Sequence, residues 1–199
     1  RKMPDFKMGN PAKTVISQSG TANPTWGANA PTGAIINVQS TTITTALDLG
    51  SVASGGEVQV TGLTVTITPK TTSSKMLLMY NVMGAISDIG GMSMLRLKRD
   101  STTIGVSTNL QSNQLALTAA FDQYSNTNAE RIENSVISSG TFLDEPTIPS
   151  TPVEITYKIF MVNTSNISRT IYVNRSVNDS NNPYDTRGTS TLTVMEVAG

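Results

Sequence analysis

Apolar and polar residues alternate along most of this chain, and a period of two predicts strands rather than helices. The clearest run is Val58 to Thr68, where Leu63, Val65 and Ile67 point one way and Thr64, Thr66 and Thr68 the other. Pro69 stops that run, and Thr71-Thr72-Ser73-Ser74 supplies a turn into the next. Residues 33–40 predict a first strand with Ile36 and Val38 toward a core. Residues 92–98 and 103–107 read as a hairpin that turns through Arg99-Asp100-Ser101-Thr102. The stretch 111–124 fits a strand through Leu115, Leu117 and Phe121, or a short helix through Ala119 and Ala120. Residues 132–141, 153–163, 169–175 and 189–197 complete the set, with a corner at Pro146 and Pro149. About nine or ten strands without a convincing helix predict an all-β chain, an antiparallel β-sandwich of jelly-roll type.

One strand departs from simple alternation. In residues 75–86, Met76, Leu78, Tyr80 and Val82 share a face, but Leu77, Met79 and Met83 occupy the other. A strand apolar on both faces must be covered on both. One cover is the opposing sheet; a subunit interface is the economical second, with a loop or the N-terminal segment as the alternative. Met76, Leu77, Met79 and Met83 are therefore expected at an oligomer contact or in the core beneath it.

The first 33 residues carry no sustained period. Proline or glycine interrupts them repeatedly, from Pro4 to Gly33, so neither a helix nor a long strand is expected. They read as an extended N-terminal arm (1–33) ahead of the β-sandwich domain (34–199). Phe6, Val15, Ile16 and the lone Trp26 are its isolated anchors, a pattern that fits ordering against a partner. The alternative is a solvated tail.

Composition narrows the chemistry. Fourteen basic residues balance fourteen acidic ones in 199, which gives no footprint for nucleic acid. Charged residues are 14% of the chain, against about 25% in ordinary soluble domains. Serine, threonine and asparagine take their place, a neutral surface of the kind found on extracellular or virion β-proteins. No apolar run approaches the ~18 residues of a membrane span, so no membrane insertion is expected. Arg1-Lys2-Met3-Pro4 is basic, but no apolar core follows it, which is unlike a secretory leader.

The chain has neither histidine nor cysteine, removing the commonest general base, the thiolate nucleophile and the commonest metal ligands. No Gly-x-Ser-x-Gly, Ser-x-x-Lys or phosphate-cradling loop occurs, and Gly90-Gly91 reads as a turn. Asp144-Glu145, Glu130 with Glu133, and Asp122 are the carboxylates that proximity offers for glycosidase work; adjacent acids before a proline are more often a solvated corner. Catalysis is not expected, and neither is a cofactor. The polar loop from Asn178 to Gly188 is the candidate ligand loop. Asp179, Asn181 and Asp185 offer oxygens that could suit Ca²⁺, and Tyr184 could stack on a saccharide. An Asx-rich loop bonded to itself is the plainer reading. Four Asn-x-Ser/Thr triplets, at Asn163, Asn166, Asn174 and Asn178, are what chance produces in so hydroxyl-rich a chain.

Residues 13–27, from Lys13 through Trp26-Gly27, resemble the junction that precedes the distal domain in tailed-phage fibre proteins. Residues 62–69 followed by Ser73-Ser74-Lys75-Met76-Leu77 are similar to a strand-turn-strand of small virion proteins of marine phages. Residues 140–146 and 187–197 resemble the same group. The resemblance implies a homotrimeric β-sandwich knob on the virion surface, made in the host cytoplasm and released by lysis. Its partners would be its own copies and, through the arm, other virion proteins of capsid or tail. It departs from a long tail fibre in having no heptads and no repetitive shaft. A short fibre knob and a capsid decoration protein both fit. A carbohydrate-binding adhesin for host surface glycans is the alternative.

Overall fold

The computed structural model describes residues 30–87, 93–121 and 135–199. Among these there is no helix, and the strands are β1 (Ile35–Ile43), β2 (Leu47–Val52), β3 (Glu57–Ile67), β4 (Lys75–Ile86), β5 (Ser93–Arg99), β6 (Thr102–Ile104), β7 (Ala119–Phe121), β8 (Val136–Asp144), β9 (Ile155–Asn163), β10 (Arg169–Val173) and β11 (Ser190–Val197). Four antiparallel pairings nest inside one another: β1 with β11, β3 with β9, β4 with β8, and β5 with β6. The result is one long hairpin rolled up, with its tip at Asp100. Sheet order β1-β11-β4-β8 faces β3-β9-β5-β6, the jelly-roll arrangement the alternation predicts. β10 and β2 extend the first sheet beyond β11, where β10 takes over the edge of β4 from Gly84 to Ile86. β7 pairs with β5 beside β6.

Local chemistry sets the corners. At the rolled hairpin's tip Asp100 adopts φ 52°, a left-handed conformation that aspartate tolerates better than most residues. Its backbone N–H donates to Thr156 O at 2.7 Å, and its carboxylate accepts from Thr156 N at 3.0 Å. Residue 33 begins the domain by donating from its N–H to Ala198 O, and Ala198 returns a bond to Ala34 O. The N-terminal end of the described chain is thereby stitched to its C-terminal strand.

The core lies between the two sheets and takes the inward residue of each alternation. Leu63, Val65 and Ile67 of β3 are buried, as are Met76, Leu78, Tyr80 and Val82 of β4 and Ile155, Tyr157, Ile159 and Met161 of β9. Burying each such side chain contributes roughly 1.5–3 kcal/mol. Val153, the first residue of the predicted strand 153–163, lies before β9 and is exposed.

Two other expectations are corrected. Val38 does not face the core: the pairing with β11 slips between Ile35 and Asn37, so Ile36 becomes the extra residue of a bulge. Ile35 and Val38 then share the outer face, 51% and 50% exposed, while Ile36 is only partly buried. The stretch left open at 111–124 forms neither a long strand nor a helix in its described part; only the short β7 appears.

Candidate functional site

The six-stranded sheet turns an unusual face to the outside. Register carries a row of four side chains across it: Val38 of β1, Met195 of β11, Leu77 of β4 and Leu143 of β8. Below it run Ser40, Thr193, Met79 and Thr141, and then Thr42, Thr191, Asn81 and Ser139. Met83 pairs with Ile137 at the far end. Met79 is 41% exposed, Leu143 45% and Ile137 61%. None of these residues is charged. Charge appears only at the rim, where Lys75 Nζ meets Glu145 Oε1 at 2.6 Å. A shallow depression of about 500 Å³ opens in the middle, lined by Met79, Asn81, Ser139, Thr141, Thr193 and Met195.

Four hydroxyls of this face bond in cross-strand pairs. Ser40 Oγ and Thr193 Oγ1 are 2.8 Å apart, and Thr42 Oγ1 and Thr191 Oγ1 are 2.9 Å apart. Cross-strand pairs of this kind satisfy hydroxyls without water.

The four residues expected at an oligomer contact separate. Leu77 and Met79 lie on the outer face, and Met76 is fully buried in the core. Met83 belongs to the outer side of β4 but is buried, because its own chain covers it: Gly188 packs so close to the Met83 sulfur that a side chain at 188 would displace it. Asn174 holds that covering loop. It sits at φ 60°, accepts from Ser190 Oγ at 2.6 Å, and donates from Nδ2 to Ile43 O and Thr45 O. Ser190 Oγ in turn accepts from Met83 N at 3.0 Å. The alternation missed Val38, Ile137, Leu143 and Met195, although the second face of β8 and β11, read alone, carries the signal.

In the candidate ligand loop both carboxylates are engaged, Asp185 through one oxygen while its Oδ1 is buried without a partner. Asp179 lies between Arg175, at 3.3 Å, and Arg187. Those two arginines face each other across an isolated antiparallel bridge, so Asp179 relieves their repulsion. Asp185 Oδ2 accepts from Ser180 N at 2.8 Å and from Ser180 Oγ at 2.5 Å. Asn182 Oδ1 accepts from Tyr184 N. Asn181 is exposed, and Tyr184 is 67% exposed with its ring free to stack. Among the described residues no three acidic side chains come together as a metal site.

Asp144 and Glu145 diverge. Asp144 is buried, accepts from Arg99 Nη1 at 2.8 Å on both oxygens, and accepts from Tyr157 Oη at 2.7 Å. Burial first, and the bond to Asp144 second, push the Tyr157 hydroxyl far above the ordinary tyrosine range. Glu145 points outward to Lys75. On the other sheet Glu57 meets Arg96 at 2.5 Å and also Lys98, which sits 4.3 Å over the Phe160 ring. Burial works against the charge on Glu57, but the bonds from Lys98 and Arg96 prevail and hold its carboxyl below the usual range. Phe6, Val15, Ile16 and Trp26 of the arm, Gly90-Gly91, Asp122, Glu130 and Glu133 lie outside the described residues.

No protein-family model matches the chain, and no curated protein matches it. Among solved structures it is similar to a chain in the structure of infectious bursal disease virus Gx strain, with a TM-score of 0.32 and 16% identity. The match covers 82% of this chain and 38% of that one.

Proposed function

We propose that this chain is a structural surface protein of a tailed-phage virion: a homotrimeric jelly-roll knob, without catalytic activity, fixed to the particle through residues 1–33. The observation that carries the reading is how its charged side chains are used. Asp144, Glu57, Asp179 and Glu145 each have an arginine or lysine partner, and these pairs tie strands and loops together. Charge serves the architecture here. The resemblance of residues 13–27 to a fibre junction supports the arm as the attachment device, for a short fibre or for capsid decoration. Deleting residues 1–26 tests it: the truncated protein folds and is missing from purified particles. Particles that keep their normal complement of truncated protein contradict the reading.

A second reading, a host-glycan adhesin, has the exposed Tyr184 ring in its favour. It requires binding on a glycan array that Tyr184→Ala abolishes.

A further inference from the structure

We propose that the outer face of the β1-β11-β4-β8 sheet is the surface through which copies of this chain meet. The inference rests on the self-association in the reading above and names its place. Its centre is the row Val38, Met195, Leu77 and Leu143, continued by Met79 and Ile137.

Three features select a second copy as the occupant. First, size: four strands spaced ~4.8 Å apart and nine residues of β4 rising ~3.3 Å each make a face of roughly 15–20 by 30 Å. Corrugated by side chains, that is of the order of the ~800 Å² per partner that a stable contact removes from water. Second, charge: the face between its rims is neutral, so around a threefold axis its β1 side can meet the β8 side of the next copy without placing like charges together. Third, four of its hydroxyls are already paired. Ser40 with Thr193 and Thr42 with Thr191 can leave water without losing a bond, which suits a dry protein contact.

The edge beside it points the same way. β8 is a regular nine-residue strand with no proline, no bulge and no charge before Asp144, and no described strand pairs with its outer edge. Natural edges of that kind are normally protected or covered.

The test uses residues 1–199 whole, whose lack of cysteine makes single-cysteine chemistry clean. Light scattering compares the native protein with the double variant Val38→Lys/Leu143→Lys, both sites half exposed and so tolerant of change. The double variant is expected to lose about threefold in mass, the step from trimer to monomer, with an unchanged far-ultraviolet circular-dichroism spectrum. Val38→Cys and Leu143→Cys should cross-link between copies several-fold more than Thr66→Cys on the opposite sheet. If the native protein is oligomeric and the double variant stays so, with cross-links only at residue 66, the face is wrong and the virion reading stands. A native monomer with freely reactive cysteines at 38 and 143 overturns the face and the trimer together. A monomer in which both are protected until residues 1–26 are removed makes the chain's own arm the occupant, which also overturns the inference.

Discussion

The Gly140 α-carbon lies directly over the phenol of Tyr80: a methyl group there would fall 2.5 Å from the tyrosine oxygen and 2.8 Å from the carbon that bears it. The two residues pair across β8 and β4, and both side-chain positions face the core. Gly140→Ala should therefore destabilise the domain by about 1–3 kcal/mol, the usual cost of overpacking. Tyr80→Phe removes the nearest clashing atom, so the double variant should recover part of the loss. A double-mutant cycle by urea unfolding measures it, and strict additivity of the two changes would contradict the contact.

The triad of Arg99, Asp144 and Tyr157 joins β5 and β9 of one sheet to β8 of the other. Asp144→Asn leaves Arg99 without its counter-charge and should cost roughly 2–4 kcal/mol, less than a wholly buried pair because Arg99 keeps some contact with water. Tyr157→Phe should cost about 1.5–3 kcal/mol, as for a hydrogen bond to a charged group. Chemical denaturation of both variants checks the order.

Alkali should act through the same tyrosine. Its hydroxyl ionises near 10.0 when unfolded and only well above that when folded. Its contribution to stability is thus complete below about pH 10 and is lost as pH rises further. Tyr157→Phe should flatten the alkaline limb of a stability profile; an unchanged limb would place the sensitivity elsewhere.

Acid should act through Glu57. Its folded pKa is depressed below 4.5, so its contribution is present above pH 4.5 and is lost as pH falls through the folded value. Glu57→Gln should lower stability at neutral pH and make the acid limb shallower. Thermal melts between pH 3 and 7 would show it.

Much of this fold is written in alternation. β4 occupies the residues its pattern predicts, 75–86, and the turn 99–102 closes the innermost hairpin. Alternation fails where the backbone leaves the regular pleat. The bulge at Ile36 turned Val38 outward, and no periodicity announces a bulge. β2 was not foreseen because Asp48 and Gly50 interrupt it; Gly50 sits at φ 77° with its N–H on Asp48 Oδ1. The outer face was half legible. Leu77 and Met79 stood out because one strand held both apolar faces. The rest of the row lies on three other strands, and only register brings Val38, Met195 and Leu143 beside them. Met83 looked equally exposed in sequence, because nothing there tells that Gly188 returns to cover it.

Imaging purified phage particles with a label on the C-terminus of this chain decides whether it is a surface protein of the virion. Gly199 is exposed at the end of the last strand, so a label there need not disturb the core. Label is expected on the outside of every particle, in clusters of three, at the head or the tail according to where the arm docks. Label that stays in the lysate and is absent from purified particles would contradict it.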